Sequence, residues 1–448
     1  MQTASSHTLI VGLGKTGLSC ARFLSAQGEI CVVTDSRQLP PGLDELVAAC
    51  PDMTVHTGGF RDEDFDTASR VVLSPGVALR EPHVAKAASH GTEVLGDIEL
   101  FARNVDAPVI AITGTNGKST VTTLVSEMAA KAGRNVQVGG NLGMPALELL
   151  GKEETDLYVL ELSSFQLETT HSLNAVAAVV LNVTADHMDR YESIDEYCAA
   201  KAKVYSGDGV MVINRDDPYV TAMASNANAS RKVIRFGLGE PAEGEFGLVT
   251  HDAEPWFVFG AEKLLPVSAL KIPGRHNQAN ALAALALGYA SGLEMDAMLT
   301  SLSEFTGLAH RSEWVAEHNG VRWFNDSKAT NVGATLAALD GMPGPFILIA
   351  GGDGKGADFS ELKRVMTAAI KAVVLIGRDA GNIRKAIEGS VVIHDAASMH
   401  DAVLRANELA EPGDSVLLSP ACASFDMYNN YIERGEDFVA KVRAVCNG

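Results

Sequence analysis

Short β-branched apolar runs recur along the chain at 8–11, 30–34, 71–73, 109–113, 157–162, 346–350, 373–376 and 416–418, with stretches of helical spacing between most of them. Runs that are apolar at successive positions suit strands covered on both faces. Their alternation with helices predicts an α/β fold of mainly parallel sheets between helical layers. Pro82 opens one helix that stops near Gly91, and Ser193-Ile194-Asp195-Glu196 reads as a capping box opening another. From Lys232 to Leu270 the helical spacing gives way to short strands such as Trp256-Phe257-Val258-Phe259. This predicts an antiparallel edge on a larger sheet, before an Ala/Leu-rich helix resumes over 279–289.

A chain of 448 residues has room for about three domains of ordinary size. No low-complexity linker or short repeat marks their limits. Boundaries are therefore expected where one βα series ends and another phosphate-type loop begins, giving 1–96, 97–307 and 308–448. The 36 Lys and Arg against 56 Asp and Glu leave a net charge of -20, which argues against nucleic acid and anionic membrane surfaces as partners. Anionic ligands would need locally placed cations. The six cysteines form no C-x-x-C pair, so neither a zinc site nor a disulfide framework is expected, and a reducing compartment fits. Residues 1–7 are polar without a signal-type apolar run, and no apolar stretch approaches the ~20 residues of a membrane span.

Five regions carry candidate chemistry. Thr113-Gly114-Thr115-Asn116-Gly117-Lys118-Ser119-Thr120 joins a strand to a helix. Backbone N–H groups at such a helix start bind phosphate, Lys118 would reach the outer phosphates and Ser119 would ligate Mg²⁺. Ile112 stands where the general loop has its first glycine, so an ordinary glycine-rich turn stays open. Glu161 ends one apolar strand and Asp186-His187 follows another, a pairing suited to a hard cation beside phosphates, although a lone His is more often structural. On the helix opened by Ser193, Ile194, Tyr197, Lys201, Val204 and Tyr205 form one stripe, which turns Lys201 inward and Lys203 to solvent. Spacing alone favours a snorkelling or ion-paired lysine there. Gly12-Leu13-Gly14-Lys15-Thr16-Gly17, with Asp35 ending the next strand, reads as a dinucleotide fingerprint, but its glycines certify only a tight turn with room for any nucleotide diphosphate. In the last third, polar loops at 325–331, 351–356 and 419–424, with His310-Arg311, suggest a site for a nucleotide and a small anion, and Cys422 reads as a small filler.

Taken together, 113–120, Leu181-Asn182-Val183-Thr184 followed by Asp186-His187-Met188-Asp189, Gly274-Arg275-His276-Asn277 with Asn280, His310-Arg311 and 325–331 resemble the Mur ligases of peptidoglycan synthesis, over essentially the whole chain. The resemblance implies a Rossmann-like N-terminal domain for a UDP-substrate, a central P-loop-type ATPase domain and a Rossmann-like C-terminal domain for an amino acid. It implies a cytoplasmic, monomeric, ADP-forming ligase without stable membrane association. Such an enzyme would activate UDP-N-acetylmuramoyl-L-alanine as an acyl phosphate and join it to D-glutamate. Gly14, Lys15, Thr16, Asp35, Ser36, Ser74, Pro75 and Gly76 would then hold the uridine nucleotide rather than NAD, and Gly140, Asn141 and His187 the muramoyl-alanine end. ATP would meet Gly114, Thr115, Asn116, Gly117, Lys118, Ser119, Thr120, Asn277, Asn280, Arg311 and Asp326. D-Glutamate would meet Lys328, Thr330, Lys355, Ser424 and Tyr431, where Tyr431 replaces the Phe of the family. Lys118, His187 and Lys201 would be catalytic. Mg²⁺ would be held by Ser119, Glu161, His187 and Lys201, the last as a CO₂-derived carbamate, which reverses the spacing-based reading of that lysine. The alternatives are a folylpolyglutamate synthetase-like ligase, an NAD-dependent oxidoreductase and a non-catalytic UDP-sugar-binding protein.

Overall fold

The computed structural model describes residues 7–152, 154–225, 231–342, 344–366 and 369–447, so the polar stretch before His7 lies outside the described residues. Three sheets follow one another along the chain. The first has five parallel strands in the spatial order Thr54–Thr57, Cys31–Asp35, His7–Val11, Ala68–Leu73 and Glu93–Leu95. The order reverses around His7–Val11, and in open α/β sheets such a reversal opens a crevice at the carboxyl ends of the strands. The glycine turn at Gly12 occupies that end.

The central sheet has nine strands, with Val109–Thr113 set between Ala177–Val180 and Leu157–Glu161, all parallel. Its far edge is the hairpin series Phe246–His251, Glu254–Phe259 and Glu262–Pro266, antiparallel as expected. The preceding strand, Val233–Phe236, is still parallel to Val210–Asn214, so the antiparallel edge starts later than the change of pattern at Lys232. Helix Arg275–Ala290 is buried along 280–288 and packs on helix Lys118–Lys131, which is why it is apolar all round rather than striped.

The third sheet runs Glu313–His318, Val321–Asn325, Ser415–Leu418, Phe346–Gly351, Ile370–Ile376 and Val392–Asp395. All neighbours are parallel except Glu313–His318, an antiparallel edge that the half-buried, charge-interrupted run did not announce.

Two local expectations need correction. Ser193 does cap helix Ile194–Ala202 by accepting from Glu196 N–H, but the Glu196 carboxylate turns outward to Glu192 N–H at 2.8 Å, so the box is half formed. Lys203 is half-buried rather than solvent-facing: the helix tightens into the 3₁₀ turn Lys203–Tyr205, which redirects its amine to the Glu168 carbonyl. Among the described residues all six cysteines are free, and no helix is long and apolar enough to cross a membrane.

Candidate active site

Strand Val109–Thr113 must turn sharply into helix Lys118–Lys131, and Gly117 makes the turn in the left-handed region at φ 84. A Cβ there would stand 2.3 Å from Asn280 Oδ1. Glycine is therefore required on both backbone and packing grounds. We expect Gly117→Ala to lose about 1–2 kcal/mol of stability from the left-handed backbone alone. It should also raise the KM for ATP by displacing Asn280; chemical denaturation and steady-state kinetics check the two parts, and an unchanged KM would detach the turn from nucleotide binding.

Lys118 Nζ folds back over this loop, donating to the carbonyls of Gly114 at 2.9 Å and Thr115 at 2.8 Å. Burial holds its amine below the ordinary lysine value, opposed by the charges of Glu161 and Asp186. The loop itself is fixed from the neighbouring strand end: Asn116 N–H donates to Asn182 Oδ1 at 2.9 Å and Asn182 Nδ2 returns a bond to the Asn116 carbonyl at 3.0 Å.

Strand register supplies the carboxylate. Glu161 pairs with Ile112, one residue before Thr113, so parallel alignment alone sets a buried acid against the helix start. Ser119 Oγ donates to Glu161 Oε2 at 2.6 Å, Asn141 Nδ2 donates to Oε1 at 2.6 Å, and Arg311 Nη2 donates to Ser119 Oγ at 2.8 Å. A side chain from each of the second and third units thus converges on one acid and one hydroxyl.

His187 also adopts a left-handed backbone, φ 58, a conformation a non-glycine residue holds only when its surroundings impose it. Its ring lies 4.8 Å from Phe165 and its Nε2 3.7 Å from Asp186. Burial pushes the imidazole below its usual value against the pull of Asp186, which favours the neutral ring. Asp186 in turn meets Asn331 Nδ2 at 3.1 Å and Lys355 Nζ at 3.7 Å, both from the third unit.

Lys201 is 1% exposed, as its stripe position predicts. Among the described residues it forms no ion pair. Its Nζ donates to the Gly114 carbonyl at 2.8 Å and lies 4.4 Å from the Tyr197 ring centre. Burial, then the nearby Lys118, holds the amine well below its ordinary value.

Two clefts flank this cluster. One of about 900 Å³ is lined by Gly14, Lys15, Thr16, Asp35, Ser36, Ser74, Pro75, Gly76 and Asn141, with Tyr431 from the third unit, but not by His187. There Leu13 N–H donates to Asp35 Oδ2 at 2.7 Å and Ser74 Oγ to the Gly12 carbonyl at 2.7 Å, which set the turn. Burial works against ionisation of Asp35, but bonds from Arg37 and from the backbone of Leu13 and Arg37 hold it below the usual carboxylate value. The second cleft, about 280 Å³, is lined by Asn116, Gly117, Thr120, Asn277, Asn280, Arg311 and Asp326, and by Lys328.

The five residues assigned to D-glutamate are spread out. Lys328 Nζ lies 4.0 Å from the Tyr431 ring centre, Lys355 reaches Asp186, and Thr330 and Ser424 line neither cleft. Burial, then Arg311, brings Lys328 down to about 8. Sequence reasoning missed Arg37, Phe60 and Gln166 in the first cleft and the buried Arg434, which binds the carbonyls of Ser327 and Cys422. Arg37 had a signal, two residues after Asp35. Arg434, on a helix far along the chain, had none.

Three family models match successive stretches of the chain. The Mur ligase MurD-like N-terminal domain matches 6–96, the Mur ligase middle domain 112–288 and the Mur ligase glutamate ligase domain 310–422. A UDP-N-acetylmuramoylalanine--D-glutamate ligase of Nitrosococcus oceani is 56% identical over 99% of this chain and 98% of its own. Its namesake from Pseudomonas aeruginosa is 50% identical over 99% of both. Among solved structures, a pseudomurein peptide ligase type C from Methanothermus fervidus superposes with a TM-score of 0.63 at 17% identity, covering 98% of this chain and 100% of that one. A UDP-N-acetylmuramate-alanine ligase from Thermotoga maritima gives 0.61 at 17% identity over 98% and 99%. The structures establish a shared fold, and with full-length relatives at half identity or better the chain belongs to the Mur ligase family.

Proposed function

We propose that this protein is the ATP-dependent ligase of peptidoglycan precursor synthesis that joins D-glutamate to UDP-N-acetylmuramoyl-L-alanine, working as a cytoplasmic monomer with domains at 1–96, 97–307 and 308–448. Besides the relatives' names, one observation carries the reading. The bonded series Asn141, Glu161, Ser119, Arg311 runs from a residue lining the larger cleft to one lining the smaller. A nucleotide-linked acid in the first and a triphosphate in the second would meet at the phosphate loop.

The difficulty is that a carboxylate must attack a γ-phosphate of the same charge. The substrate's carboxylate oxygen forms a bond to phosphorus as ADP leaves, giving an acyl phosphate. The amine of D-glutamate then attacks the acyl carbon, phosphate departs and the ammonium proton is lost. Lys118, already poised over the loop, is the cation that follows the transferring phosphoryl group. Neutral His187 and Asn141 orient the acid, and Lys328 and Lys355 receive the carboxylates of D-glutamate. Water must be excluded for the acyl phosphate to survive, which three converging units can do.

The site fits Mg²⁺. Hard oxygen donors from Ser119 and Glu161 are buried and adjacent, while among the described residues no three His, Cys, Asp or Glu side chains gather as an all-protein cage. That is the arrangement of an ion held by one or two carboxylates and substrate phosphates. His187 and a carbamylated Lys201 would complete the set, and the ion would supply charge neutralisation between the two anions.

The decisive experiment is phosphate release. It should require both UDP-N-acetylmuramoyl-L-alanine and D-glutamate; release that depends on a folate, or hydride transfer without ATP use, would overturn the reading.

Asp326 gives a pH prediction. Burial pushes its carboxyl up to about 7, against bonds from Ser419 and Ser312. If the ionised form accepts the ribose hydroxyls, ATP affinity falls as pH drops through 7, approaching tenfold one pH unit below. For stability the sign is reversed: the folded state holds this proton more tightly than the unfolded chain, so the contribution is present at low pH and lost as pH rises towards 7. Calorimetric titration of an ATP analogue checks the binding arm. Asp326→Asn should flatten the profile, and an unflattened one would assign the dependence elsewhere.

A further inference from the structure

The turn that carries His187 is tied to the first unit by two arginines outside the machinery above. Arg190 Nη1 donates to the Pro75 carbonyl at 3.1 Å and its Nη2 to the Val77 carbonyl at 3.3 Å. Pro75 and Val77 line the larger cleft. The same guanidinium is held by the Glu168 carboxylate, with Nε at 3.2 Å from Oε1, and lies 4.3 Å from the Phe165 ring centre. Phe165 is the ring against which His187 packs. The backbone N–H of Arg190 closes the His187 turn by donating to the His187 carbonyl at 2.9 Å. Across the same seam, Arg80 Nη2 donates to the Asp189 carbonyl at 3.1 Å.

We infer that Arg190 is a positioning residue that sets the spacing between the nucleotide-binding loop at 74–77 and the acid-binding His187. The inference rests on the proposed function and deepens it. A substrate that carries uridine diphosphate at one end and a reactive carboxylate at the other must satisfy both sites at once, so the separation of the sites decides whether the carboxylate reaches the phosphate loop. A guanidinium suits the task because its planar fork engages one carboxylate and two carbonyls together, whereas a lysine amine can keep the charge pair with Glu168 but not the fork.

Arg190→Lys is therefore the informative variant, read by calorimetric binding of UDP-N-acetylmuramoyl-L-alanine without ATP, by KM and kcat for each substrate, and by melting temperature. The expected result is weaker binding of the nucleotide sugar by about tenfold or more, with a lower kcat and a KM for ATP within about twofold of wild type. Arg80→Ala, which removes a single exposed bond, should shift the same quantities less. Wild-type binding by Arg190→Lys overturns the inference, and so does a parallel rise in both KM values, which would mark a merely loosened fold. If Arg190→Lys does not fold, unchanged nucleotide-sugar binding in Arg80→Ala overturns it. A wild-type chain that fails to bind the nucleotide sugar sinks the functional reading first and the inference with it, a result distinct from any seen only in a variant.

Discussion

Lys201→Ala should have no measurable ligase turnover, and part of the activity should return when formate or acetate is added. The expectation rests on where the side chain sits. A lysine that is 1% exposed, without an ion-pair partner among the described residues, bonded only to a loop carbonyl and set beside a tyrosine ring, is a poor structural device. Burying an uncompensated cation is costly. The cost disappears if the neutral amine adds to CO₂, losing a proton and becoming a carbamate anion. That anion would stand next to Lys118 and the phosphate loop, where a negative oxygen donor serves a cation. A small carboxylate diffusing into the space left by Lys201→Ala could supply the same oxygens. Full activity of the variant without additive would dismiss the carbamate, while loss of folding, read by circular dichroism, is separated from loss of catalysis by the rescue itself.

Lys118→Ala should lower the chemical step by about two orders of magnitude or more, the usual cost of removing a preorganised charge aimed at a transition state. Lys118 is already fixed over the loop by the carbonyls of Gly114 and Thr115, so little reorganisation is needed when a phosphoryl group arrives. Melting temperature should change little, because among the described residues the amine bonds only to carbonyls of its own loop. Single-turnover formation of acyl phosphate measures the step directly, and an unchanged rate would remove the loop from the chemistry.

The sheets were legible because parallel strands buried on both faces must be apolar throughout, and the runs at 109–113, 346–350 and 416–418 coincide with observed strands to within a residue. Lys201 was legible as an inward residue from helical spacing alone. Lys203 was not, because the helix ends one residue earlier and a 3₁₀ turn changes the angle between successive side chains. The loops at strand ends were visible as polar interruptions, yet which loops meet depends on sheet order, which local pattern does not encode. Arg190 illustrates this: its partners lie at Pro75 and Val77, more than a hundred positions away, and nothing around it in sequence distinguishes it from a surface arginine. The antiparallel edge at Glu313–His318 escaped for a different reason, since one face is wet and its apolar positions are interrupted.

The bond from Arg311 to Ser119 has an electrostatic consequence. The third unit lends the second a positive group beside Glu161, an acid otherwise surrounded by protein. A divalent ion arriving there with its nucleotide would trade places with a charge already provided and would not have to create the favourable field afresh. The guanidinium would then stand within reach of the anion that came with it, so the third unit would meet the nucleotide through a group it already holds against the second.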